Sequence, residues 1–72
     1  MSWHYQATRQ LIAVHESGPE YLYEVREVYT DPDGYTERAA LPQSHSYAGL
    51  CAELIRMRHD VSEWPVMDIG GE

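Results

Sequence analysis

Four histidines, one cysteine and twelve carboxylates are the groups of this 72-residue chain that could hold a metal, attack a bond or carry a proton. His4, His15, His45 and His59 are spread over four different elements, and none stands at a ligand spacing such as C-x2-C or H-x3-H. No metal site is expected, and the four read as surface or edge residues. Cys51 and His59 share one helix in the reading below, eight residues apart, which is more than ~10 Å along the axis. They do not meet, and Cys51 beside Leu50 and Leu54 reads as a small residue at the core margin. Glu20 and Glu24 fall on one face of a strand, roughly 13 Å apart. A fold this small rarely encloses a cleft of ~300 Å³. No catalytic residue and no cofactor is expected, and the chain reads as a non-enzyme.

The carboxylates have a second use. Six of the twelve lie between residues 20 and 37. Acidic side chains on alternate strand positions stand ~6.6–6.8 Å apart, close to the spacing of successive phosphates on a nucleic-acid strand. An array on Glu20, Glu24, Asp31, Asp33 and Glu37 would mimic a phosphate backbone, with Leu22 and Val28 as apolar anchors beside it. The other reading is a solvated acidic rim. The net charge is −7, from five arginines and no lysine against the twelve acids. Such a chain is a poor ligand for nucleic acid, whose affinity comes from cations neutralising phosphates, or for an anionic membrane surface. It suits a basic protein partner, or the acidity serves solubility alone.

These groups need elements to position them. Seventy-two residues make one domain, 1–72, which buries only roughly 60% of its unfolded surface. A single cysteine excludes an internal disulfide, so self-association gains weight as a source of stability. The start Met-Ser-Trp-His leads into no basic region and apolar run, so no signal peptide is expected. No stretch approaches the ~20 apolar residues of a membrane span, and one cysteine without an export signal points to the cytoplasm.

Trp3, Tyr5 and Ala7 alternate with His4, Gln6 and Thr8, the period of a half-buried strand, predicted over about 3–14. At Leu11–Val14 the alternation gives way to an apolar run, where both faces are covered or the strand bulges. Residues 15–19, HESGP, read as a hairpin loop. A second strand spans about 20–30. Tyr21, Tyr23, Val25 and Tyr29 share its odd face; Glu20, Leu22, Glu24, Arg26 and Val28 share its even face. Glu27 breaks the pattern, by lying near the sheet margin or through a bulge at Arg26–Glu27. Asp31-Pro32-Asp33-Gly34 fits a type I turn with a glycine exit, and a third strand follows over about 35–41. Ser46 caps a helix over about 47–60, whose stripe is Tyr47, Leu50, Leu54, Met57 and Val61. Arg56, Arg58 and His59 fall in its last turns, where the dipole favours positive charge. In the tail, 61–72, Trp64-Pro65-Val66-Met67 lies back on the core or extends a sheet edge, and Asp68–Glu72 fray. The expected fold is α+β: a three-stranded antiparallel β-meander with one α-helix on one face, βββα. The helix covers the odd face, so the tyrosines are core rather than a stacking platform for RNA bases, and the even face with Leu22, Val28 and Ile12 or Val14 is left exposed.

With these landmarks the chain resembles a widespread group of short, uncharacterised bacterial and phage-borne proteins. The matching residues are Trp3 and Tyr5, Glu20-Tyr21, Glu27-Val28-Tyr29, then Asp31, Asp33 and Gly34, the helix residues Leu50, Leu54 and Met57, and Pro65-Val66-Met67-Asp68. The chain departs from the pattern in a longer first hairpin, through Leu11–Ser17, and in Ala48-Gly49 where the group usually has acidic residues. The resemblance implies a small β-rich domain with one helix, and implies no activity. The outline is also similar to that of HicB-type antitoxins, in architecture rather than motif.

Three functions follow as expectations. The first is a small acidic protein-binding module, phage- or mobile-element-derived, that covers the nucleic-acid-binding surface of a basic, nucleic-acid-handling partner in the manner of anti-CRISPR inhibitors, through Glu20, Leu22, Glu24, Val28, Asp31, Asp33 and Glu37. The second is an antitoxin-like or regulatory subunit that self-associates, as a homodimer, through a sheet edge. The third is a small metal protein or enzyme.

Overall fold

The computed structural model describes residues 2–30 and 32–70. Two long strands dominate, β1 (Trp3–His15) and β2 (Gly18–Thr30). They pair antiparallel from Trp3 opposite Tyr29 to His15 opposite Gly18. The turn is only Glu16 and Ser17, tighter than the expected loop over 15–19. Gly18 makes this possible with φ of 128°, a conformation that a side chain would resist. The register breaks once, between Leu11 and Ala13, so the apolar run 11–14 does contain a bulge. No bulge occurs at Arg26–Glu27. Glu27 stays in phase on the odd face and accepts a hydrogen bond from the Tyr29 hydroxyl at 3.0 Å.

The third strand is shorter and earlier than expected. β3 (Asp33–Tyr35) pairs antiparallel with β2, so Gly34 lies opposite Tyr29 inside the ladder rather than at a turn exit. Asp31, the first residue of the expected turn, lies outside the described residues. Beyond Tyr35 the chain follows β2 irregularly, through Thr36 N–H to the Glu27 carbonyl at 3.0 Å and Ala40 N–H to the Val25 carbonyl at 2.7 Å. The reason is local: the Thr36 and Glu37 carbonyls turn to the Arg26 guanidinium, at 3.2 and 2.7 Å, and cannot serve a ladder.

The helix α1 (Tyr47–Glu63) starts as expected, with the Ser46 hydroxyl accepting from Gly49 N–H at 3.0 Å. A Cβ on Gly49 would run into the side chains of Ser44 and Ser46, so the glycine keeps the cap closed. The helix runs one turn further than expected, carrying Val61 onto the core side before Pro65 forbids continuation. Arg56, Arg58 and His59 therefore sit before the last turn, which holds no basic residue.

A fourth strand completes the sheet. β4 (Met67–Asp68) pairs parallel with Thr8–Arg9 of β1, and Ile69 N–H donates to the Arg9 carbonyl at 3.0 Å. The order is β3-β2-β1-β4. The α+β class holds, but the three-stranded meander becomes a four-stranded sheet, and the tail up to Ile69 is docked rather than frayed. No helix among the described residues is long and apolar enough to cross a membrane.

The core lies on both faces. On the odd face α1 buries Met57 against Tyr5 and stacks Arg56 over the Trp3 ring, 4.4 Å from its centroid. The even face, expected to be half wet, is covered by residues 64–69 and by Thr36 and Glu37. Gln6, Thr8, Arg26, Val28 and Ile69 are all buried there.

Candidate functional site

The residues of the expected acidic array do not form one array. Val28 leaves it for the even-face core, and Glu24, half-buried, leaves it for an ion pair with Arg26. Val28 is 5% exposed, in a cleft wall shared with Tyr35, Trp64 and Met67; it is no surface anchor, because the tail covers it. Glu24 Oε1 accepts from Arg26 Nη2 at 2.8 Å. Arg26 in turn donates from Nε to Thr8 Oγ1 at 3.1 Å, and from Nη1 to the carbonyls of Thr36 and Glu37. Thr8 Oγ1 donates to the Glu24 carbonyl at 3.0 Å. A buried guanidinium is tolerated when its fork meets this many acceptors. Glu20 lies at the far end of the hairpin and pairs with His15 Nε2 at 2.7 Å. Asp33 and Glu37 are exposed. Asp31 is outside the described residues.

What the hairpin does present is an arm. Thirteen strand residues reach about 43 Å at ~3.3 Å each, whereas the 17 residues of α1 span about 26 Å at 1.5 Å each, and the molecule is 45 Å long. The helix cannot cover the whole hairpin, and beyond Gln10 and Val25 the two strands run on with little over either face. Leu11, Ile12 and Val14 of β1 and Leu22 and Tyr23 of β2 are all exposed, Val14 at 74%. The Arg9 guanidinium covers the Tyr21 ring at 4.3 Å and is held by Asp68, at the base of this arm. Leu22 was legible as an exposed anchor. One of Ile12 and Val14 was expected beside it, and both are exposed; Leu11 and Tyr23 were not legible, although the mismatch between strand and helix lengths signals them.

The edges of the arm are open. Nearer the helix, β1 is closed by Asp60 Oδ2, which accepts from Tyr5 N–H at 3.1 Å, and then by β4. From Gln10 onward the outer edge of β1 has no backbone partner among the described residues, and neither has β2 below Val25.

Acid–base chemistry finds little support. The Tyr5 phenol is pushed up to about 12, first by burial and then by its hydrogen bond to the Glu53 carboxylate, which opposes a second negative charge there. The Tyr29 hydroxyl is raised too, chiefly by its bond to Glu27. Both shifts hold a proton in place; neither prepares a group to give one up near neutral pH. Cys51 is half-buried and free. Among the described residues no three His, Cys, Asp or Glu side chains converge on a point.

No family model, curated protein or solved structure matches the chain.

Proposed function

We propose that this chain is a non-enzymatic protein-binding module that docks through its projecting hairpin arm. The observation that carries the reading is the arm itself: five large apolar side chains exposed on two strands whose outer edges are open. A two-stranded ribbon is marginal in water on its own. An exposed strand edge is a template for another chain, through main-chain hydrogen bonds with alternate side chains setting specificity. The working residues are Leu11, Ile12, Val14, Leu22 and Tyr23, with Glu20 at the rim.

The partner that fits the charge is a basic protein, and a nucleic-acid-binding surface is the basic surface a chain of net charge −7 would cover. Inhibition by occlusion, rather than by a regular phosphate-like array, is the form this takes, since Glu24 is engaged with Arg26. The experiment is capture of partners on immobilised protein, in parallel with the double variant Leu22→Ser/Val14→Ser and with single-stranded DNA as competitor. A partner lost with the variant and displaced by DNA supports the reading. Capture indifferent to both would refute it.

A second reading rests on one further feature. The open edge of β1 over Gln10–Val14 carries no charged residue, and two copies could pair there antiparallel about a two-fold axis. The chain would then be a self-associating, regulatory or antitoxin-like subunit. A monomer by sedimentation equilibrium at high concentration would remove this alternative.

A further inference from the structure

At the end of the sheet away from the arm, on the even face, lies a cleft of about 530 Å³. Trp64, Tyr35, His4, Val28 and Met67 line it, and Asp33 joins them. The volume lies in the range of small-ligand sites. One wall is pre-set. The His4 ring stacks on Trp64, 3.8 Å between centroids and 9° from parallel. His4 Nε2 donates to Gln6 Oε1 at 2.8 Å, and Gln6 Nε2 donates to the Pro65 carbonyl at 2.8 Å, so strand and tail hold the stack between them. Trp64 remains 44% exposed and Tyr35 45% exposed.

We infer that this cleft receives an arginine side chain of a partner polypeptide. Three features select that occupant. No lysine or arginine lines the cleft, while Asp33 does and has no ion pair among the described residues. Aromatic faces attract a cation lying over them, and the guanidinium plane stacks on them as an ammonium does not. The chain already uses this contact elsewhere: Arg56 lies over Trp3 and Arg9 over Tyr21, whereas Trp64 and Tyr35 carry no such cation among the described residues. The apolar walls take the aliphatic stem, the rings take the guanidinium face, and Asp33 accepts its hydrogen bonds at the rim. This site is separate from the arm and stands whether or not the arm binds a protein.

The test is a titration of isotope-labelled protein, followed by nuclear magnetic resonance, with Nα-acetylarginine methylamide and, in parallel, its neutral isostere Nα-acetylcitrulline methylamide. The expected result is movement of the Trp64 indole N–H and Tyr35 amide signals by the arginine probe, with the Trp3 indole unmoved. The citrulline probe should bind about five- to tenfold more weakly, since it keeps the shape and loses the charge. Asp33→Asn should weaken the arginine probe about threefold or more and leave the citrulline probe unchanged. Tyr35→Leu, on an exposed site at the rim, should weaken it as well and serves if a Trp64 variant does not fold. Equal response to both probes, or no loss in Asp33→Asn, would overturn the assignment. So would equal or tighter binding of tetramethylammonium, because it would point to a free small cation instead of a planar side chain.

Discussion

The two halves of one hairpin have the same backbone and opposite fates. Near its open end, from Trp3 to Arg9 and from Glu24 to Tyr29, both faces are covered and the β1 edge is closed by Asp60 and β4. Thr8, at the centre of this half, is 1% exposed. Near the turn, from Leu11 to Tyr23, the same two strands stay paired but have little cover and no edge partners among the described residues. The composition of the outer half is the more apolar of the two on β1, with Leu11-Ile12-Ala13-Val14 against Gln6-Ala7-Thr8-Arg9. Burial therefore follows from what the rest of the chain can reach, and not from hydropathy. The polar residues are inside because the Pro65 carbonyl meets Gln6, the Thr36 and Glu37 carbonyls meet Arg26, and Glu24 of β2 supplies the carboxylate. The apolar residues are outside because a helix of 17 residues ends too soon.

The sharpest way to break this contrast is at Arg26. Its guanidinium is satisfied by Thr8, Glu24 and two carbonyls in a buried setting. Arg26→Ala takes the partner from half-buried Glu24, from Thr8 Oγ1 and from both carbonyls in one step. The expected loss is about 3–5 kcal/mol, comparable to the whole stability of a domain this size. Thermal and denaturant unfolding followed by circular dichroism should show a chain unfolded or nearly so at room temperature. A variant that melts within a few degrees of the wild type would mean that the inner half is not held by this network.

The inner half also has a proton signature. Tyr5 keeps its phenol protonated up to about 12, above the ordinary value of 10, through burial first and the Glu53 carboxylate second. A folded pKa above the unfolded one stabilises the fold fully below the unfolded value, and the contribution is lost as pH rises from about 10 through about 12. Stability is expected to fall across that window, and the difference in phenolate absorbance between wild type and Tyr5→Phe should place the midpoint near its top. Glu53→Gln should lower the midpoint without restoring the ordinary value, because burial is the larger cause. A midpoint unchanged in Glu53→Gln would detach the helix from Tyr5 and weaken the account of the odd face.

Much of this was legible beforehand, and what was not has a common cause. Period-two alternation located β1 and β2, the stripe through Tyr47, Leu50, Leu54, Met57 and Val61 located α1, although Tyr47 and Leu54 of that stripe are exposed, and Ser46 marked its cap, since these signals are local. The buried even face was not legible. Leu22 and Val28 alternate with Glu20, Glu24 and Arg26 as on any wet face, and nothing in β2 itself says that residues 64–69 will return to cover half of it. β4 is two residues long and is made by backbone bonds, which have no period to read. Of the expected site, Glu20, Leu22, Asp33 and Glu37 are at the surface, Val28 is in the core for this non-local reason, and Glu24 is half-buried beside Arg26. The arm was written in the strand and helix lengths.

The smallest expected change in stability falls in the outer half, and it is the most telling about function. Val14 and Leu22 touch little, so Val14→Ser with Leu22→Ser should shift stability by no more than about 0.5 kcal/mol per site. The same pair of changes in a covered strand would cost several times as much, because buried methyl groups carry both a transfer and a packing contribution. A double variant that keeps the wild-type unfolding midpoint yet loses a bound partner, or loses self-association, separates the two halves cleanly: one holds the fold and the other meets another chain. A large drop in the midpoint would instead mean that the arm packs against something in the free protein, and the apolar side chains on it would then need no partner to explain them.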